Sequence, residues 1–136
     1  MRSLSGRAVA ARARTLVGTR FRPQGRSSEH GLDCVGLVAA AAALPSDTIP
    51  SDYTLRSEAN AAALSKRFED HVEPIATDEA GDGDVLLVRA GTGQHHFVVI
   101  VENGFVHADA RLGKVVERPG SLPWPALAAW RLKGLD

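Results

Sequence analysis

The spacing of apolar residues changes character about halfway along the chain. In the first segment Val9, Ala13, Leu16 and Val17 share one side of a helical wheel while Arg7 and Arg14 project opposite, which predicts an amphipathic helix ended by Gly18. Residues 19–32, TRFRPQGRSSEHGL, set Pro23, Gly25 and Gly31 among polar residues and read as an ordered loop. From Asp33 onward the chain is alanine-rich and almost uncharged. A second helix is therefore expected from an Asp33 cap to Leu44, closed by Pro45 and buried on most sides. A polar loop to Tyr53 leads into TLRSEANAAALSKRFED, a third helix with Leu64 and Phe68 paired four residues apart.

Past Pro74 the period becomes two. GDVLLVRAG, HHFVVIVENG, FVHADA and KVVERPG are short β-rich runs separated by glycine-containing turns, and AAWRLKG is a candidate last strand. Helices followed by strands, rather than alternating with them, point to an α+β fold: N-terminal helices packed on a C-terminal antiparallel sheet. With 136 residues the chain fits a single domain, 1–136.

Sixteen basic and sixteen acidic residues leave no net field to draw the chain to nucleic acid, so partners are expected to be recognised locally. Arginines at positions 2, 7, 12 and 14 interrupt any apolar core of a secretory signal, and no apolar run approaches the ~20 residues needed to span a bilayer. The expectation is synthesis in the cytoplasm without a signal peptide, and no membrane span. One cysteine, Cys34, cannot close an intrachain disulfide, so the fold must stand on packing and the thiol is left free to react.

Cys34 sits where the unpaired N–H groups of a helix start favour a thiolate. A free cysteine is also a common core filler, but an aspartate immediately before it suits that role poorly. Candidate bases are His30, His71, His95, His96 and His107. In QHHFVVIV, alternation places His96, Val98 and Ile100 on one face and His95, Phe97, Val99 and Val101 on the other. Only one of the paired histidines can face the helix, and periodicity alone leaves the choice open. The tight ENG turn makes a hairpin that carries His107 back beside the start of the preceding strand, so a base and its orienting group can be neighbours. His95, His96, His107 and Cys34 are enough ligands for zinc, yet adjacent strand residues point to opposite faces and do not easily share one ion.

The order GLDCVGL, GDVLLVR, HHFVVIVENGFVHA resembles the NlpC/P60 family of cysteine peptidases, in which a D-C-x-G-L element opens a helix, a G-D-V element opens the sheet and a histidine begins the next strand. The lead-in GTRFRPQGRSSEHGLDC is similar to the branch found in phage tails and gene transfer agents. The resemblance implies a papain-like fold with Cys34 as nucleophile, His96 as general base and His107 as third member. It also implies that Asp33 helps hold the free amine of the substrate. His96 is preferred to His95 because the residues after it, Phe97, Val98 and Val99, follow the family pattern. Phe21 stands where many members have a substrate-contacting tyrosine, and Val35 where many have serine.

The implied activity is hydrolysis of peptidoglycan stem peptides, typically between D-γ-glutamate and a diamino acid, with no metal or cofactor. The implied partners are stem peptides and phage-like tail proteins, with incorporation into a phage-like particle. Two other readings keep the fold: an inactive cell-wall-binding or tail-structural subunit, and an acyltransferase.

Overall fold

In the computed structural model, which describes residues 2–44 and 58–133, the chain opens with helix α1, Arg2–Thr15. It turns Val9 and Ala13 into the core, as the periodicity predicts, together with Ala10, and Leu16 is partly buried beyond them. Val17 departs from that pattern and is 42% exposed. The helix stops at Thr15, and the chain leaves through Gly18 at φ +96°, its N–H bonded to the Val115 carbonyl at 2.8 Å. Position 17 thus no longer shares the helical phase.

The segment expected to be a loop contains a minimal hairpin, β1 (Arg26–Ser27) and β2 (Gly31–Leu32), with Phe21 bridged to Leu32. Its seat on the next helix is tight: a Cβ added at Gly36 would lie 2.0 Å from the Gly25 carbonyl oxygen. Helix α2, Cys34–Ala41, is buried over most of its length. It ends earlier than expected, because Ala43 adopts φ +55° and the N–H groups of Ala43 and Leu44 turn back to the carbonyls of Ala40 and Ala39, satisfying the helix end.

The expectations for Pro45, for the loop to Tyr53 and for residues 54–57 fall outside the described residues. Within them the third helix, α3, covers Glu58–Ser65 and tightens into a 3₁₀ turn over Lys66–Phe68. Leu64 and Phe68 are both buried.

The sheet has one strand that alternation did not reveal, β3 (Val72–Ile75), followed by β4 (Val85–Gly91), β5 (Gln94–Val101), β6 (Gly104–Asp109), β7 (Lys114–Pro119) and β8 (Ala126–Leu132). All six pair antiparallel in the order β3-β8-β4-β5-β6-β7. Pro74 obscures β3 in the sequence, and it is tolerated because β3 is an edge strand with a neighbour on one side only.

The β5–β6 hairpin has the expected short turn, with Asn103 at φ 67° and Val101 opposite Gly104. Both sheet faces are covered. Leu87, Phe97, Val99 and Val106 pack with Val9, Val35 and Leu37 of the helices. Leu86, Val88, Val98 and Phe105 pack on the other side beneath Leu122 and Trp124.

Candidate active site

Cys34 is placed by its predecessor. Asp33 has extended backbone and caps α2: its Oδ1 accepts from the Gly36 N–H at 2.8 Å and its Oδ2 from the Gln24 N–H at 2.9 Å. The Arg26 guanidinium lies 3.7 Å from Oδ1. One buried carboxylate therefore caps the start of the helix, ties it to the loop carrying Phe21 and Gln24, and leaves Cys34 as the first helical residue.

The thiol is 6% exposed. Burial pushes its pKa up to about 12, with the Asp33 charge adding to the effect, and the peptide N–H groups of Phe97, Cys34 and Val35 oppose it. At neutral pH the sulfur is protonated.

His96 and His107 meet. His96 Nε2 lies 3.0 Å from His107 Nδ1, and the rings are nearly perpendicular at 87°. The Trp124 ring stands edge-on to both, with centroids 5.8 Å from His96 and 5.5 Å from His107. Burial, reinforced by His107, pushes His96 down to about 4, against an opposing pull from Asp109. His107 is lowered chiefly by burial and further by Arg118, again against Asp109. Two neutral imidazoles thus share one hydrogen, and neither carries charge at pH 7.

A cleft of about 510 Å³ joins these groups. All five residues singled out from the sequence, Phe21, Asp33, Cys34, His96 and His107, border it. The geometry differs from expectation in one respect. His95 has the phase of Phe97, which packs with the helices, whereas His96 has the phase of Val98 on the opposite face. The ring that meets His107 is therefore the one turned away from the body of α2, and the cleft runs around the start of β5, where Gln94, His95 and His96 all border it. Among the described residues no hydrogen bond joins Cys34 to either imidazole.

Among the bordering residues that were not anticipated are Asp109, Arg118 and Trp124. Asp109 had a signal, standing two positions after His107 and so on the same face of the strand. Trp124 precedes β8 in a proline-flanked segment without periodicity, and no pattern in the chain points to it. His30 instead contacts Ser27, with its Nδ1 3.1 Å from the hydroxyl. Among the described residues no group of three or more His, Cys, Asp or Glu side chains is arranged to hold a metal ion.

No known family model matches the sequence, and no curated protein matches it. Solved structures do match. The NlpC/P60 domain of the peptidoglycan hydrolase SagA superposes with a TM-score of 0.58 at 20% identity, covering 84% of this chain and 88% of that one. The P60 domain of antigen MAP1204 from Mycobacterium avium subspecies paratuberculosis gives 0.61 at 20% identity, covering 93% and 94%. The peptidoglycan hydrolase RipB from Mycobacterium tuberculosis gives 0.60 at 22% identity, covering 96% of this chain and 65% of that one. The chain has the α+β fold of NlpC/P60 domains.

Proposed function

We propose that this chain is a cysteine peptidase acting on peptidoglycan stem peptides, with Cys34 as nucleophile, His96 as general base and His107 as its orienting partner. The observation that carries the reading is the 3.0 Å contact between His96 Nε2 and His107 Nδ1 in a cleft that Cys34 also borders. If Nε2 of His96 holds the shared hydrogen, its Nδ1 is the ring's remaining acceptor. A neutral imidazole with a free acceptor is the form a general base requires.

The chemistry follows from the two protonation states. Because the resting thiol is neutral, proton transfer to His96 Nδ1 accompanies attack of sulfur on the scissile carbonyl carbon. The peptide N–H groups of Cys34 and Val35, at the open first turn of α2, are the donors at hand for the developing oxyanion. His96 returns the proton to the leaving amine as the C–N bond breaks. Water, deprotonated by the same ring, then hydrolyses the thioester, releasing the acid and restoring the thiol.

The bond proposed is that between D-γ-glutamate and the diamino acid, with Asp33 and Phe21 bordering the substrate's amino-terminal side. Asp33 would do so with a carboxylate already engaged by the Gly36 and Gln24 amides. The setting proposed is a chain made in the cytoplasm and carried to the wall within a phage-like particle.

Digestion of purified muropeptides followed by mass spectrometry tests activity and bond together. The expected result is cleavage by the parental chain and a loss of about 10³-fold or more for Cys34→Ala. One observation favours a second reading, a non-cleaving wall-binding subunit: the thiol is buried and, among the described residues, has no imidazole hydrogen bond. Retention of muropeptides without cleavage by the parental chain would establish that reading instead.

A further inference from the structure

The His107 ring has a second nitrogen that the pairing with His96 does not use. His107 is 3% exposed, and its Nε2 is fully enclosed without a hydrogen-bond partner among the described residues. An unsatisfied buried N–H costs roughly 1–3 kcal/mol, so such an atom calls for an explanation. Among the described residues the nearest charged acceptor is the carboxylate of Asp109, whose Oδ2 lies 4.0 Å away. Its other oxygen, Oδ1, is anchored: it accepts from the Arg111 N–H at 2.9 Å and the Leu112 N–H at 3.1 Å, closing the turn between β6 and β7.

We propose that Asp109 is a positioning residue for the candidate active site, accepting a hydrogen bond from His107 Nε2 and so setting the direction of the whole chain Asp109–His107–His96–Cys34. The inference rests on the peptidase reading of the same cleft and deepens it.

The argument is one of proton placement. A carboxylate accepts and cannot donate, so facing it His107 carries its hydrogen on Nε2. Nδ1 of His107 is then an acceptor, and the hydrogen in the 3.0 Å contact belongs to His96 Nε2. That leaves His96 Nδ1 bare, as a base for the thiol must be. Without the carboxylate, His107 has no reason to prefer this tautomer. In the opposite one, His96 donates from Nδ1 and cannot accept from Cys34. Closing 4.0 Å to a hydrogen bond takes a shift of about 1 Å, within reach of a side chain held by one oxygen at the surface end of its strand.

The charges facing His107 agree with this assignment. On its own strand there is only Asp109; across from it are His96 on β5 and Arg118 on β7, with Asp33 and Cys34 of the α2 start on the far wall of the cleft. Among the described residues Asp109 is the one anion recorded within 4.0 Å of the ring. Its charge raises both histidines against burial, and against its own burial the Asp109 carboxyl is held low by the Leu112 and Arg111 amides and then by His107 and His96. An imidazolium formed on His96 during attack would be stabilised by the same charge.

Asp109→Asn separates this role from the turn, since the amide oxygen can still accept from Arg111 and Leu112. Two measurements on the full chain test it. The first is independent of activity: ¹⁵N spectra of histidine-labelled protein should show His107 as the Nε2–H tautomer in the parent and a mixture, or the Nδ1–H form, in Asp109→Asn. The second is muropeptide hydrolysis. The expected result is kcat lowered about 10- to 100-fold with KM little changed, the acid limb of kcat/KM moved to lower pH, and partial recovery in Asp109→Glu. A parental His107 in the Nδ1–H form, or an Asp109→Asn variant with unaltered tautomer, kcat and pH profile, overturns the proposal. If the parent cleaves nothing, the peptidase reading fails and the tautomer result still decides the role of Asp109.

Discussion

At the residue scale the proposed mechanism needs one of two adjacent histidines as its base. His95 and His96 differ by one step along β5, and one step exchanges sheet faces. The proposed base is His96 because it is the ring in contact with His107, both rings lying on the Trp124 side of the sheet. His96→Ala is expected to lower muropeptide cleavage by about 10³-fold or more, close to the loss from Cys34→Ala, while His95→Ala stays near the parental rate. Parallel rate measurements on the two alanine variants check this, and a dead His95→Ala beside an active His96→Ala would reverse the assignment. Cys34, His96 and His107 could be singled out as a candidate set because a nucleophile, a base and an orienting group need particular side chains, and the structure brings all three to the border of one cleft. That Asp33 serves first as helix cap was only half legible. Its position before the helix was plain, but its second bond, to the Gln24 amide nine residues earlier, depends on how the loop folds back.

At the element scale the site is held by contacts between backbones. The loop that carries Phe21 and Gln24 lies against the first turn of α2 where Gly25 and Gly36 meet, and a Cβ at Gly36 would come within 2.0 Å of backbone oxygen. Gly36→Ala must part the two, because a carbonyl in a bonded loop cannot swing aside as a side-chain end can. The expected cost is about 1–3 kcal/mol, read as a lower urea midpoint, together with a raised KM for muropeptides as the Phe21 wall moves. An unchanged midpoint would show that the loop has slack the packing does not suggest. The same scale explains what periodicity missed. β3 hides behind Pro74, β1 and β2 are too short for alternation to register, and α2 ends where Ala43 turns left-handed rather than where a proline stands.

For the whole molecule, burying two neutral imidazoles couples the site to stability. His96 is pushed from 6.5 to about 4 on folding, so in the interval between these values the unfolded chain binds more protons than the folded one. Stability therefore rises with pH across that window and falls as pH drops below 6.5. A shift of this size corresponds to about 3 kcal/mol once the lower value is passed. His107, also lowered, acts in the same direction. Asp109, whose carboxyl is lowered, loses its contribution at still more acid pH. Urea unfolding at pH 7 and at pH 4.5 should show a smaller difference for His96→Gln than for the parent. Equal differences would mean that His96 is not buried in its neutral form.

The order of elements, helices first and antiparallel strands after, follows from the sequence alone, because apolar period is a local property that each segment carries in its own residues. So do the hairpin that brings His107 back and the unpaired state of the lone thiol. Other features exist only once distant segments meet: the neutral pairing of His96 with His107, the protonated sulfur, the Trp124 ring packed edge-on to both imidazoles and the carboxylate beside His107. Burial and proton placement are set by what surrounds a group in space, and here those surroundings come from α2, three strands of the sheet and the segment before β8, which no spacing along the chain could bring together.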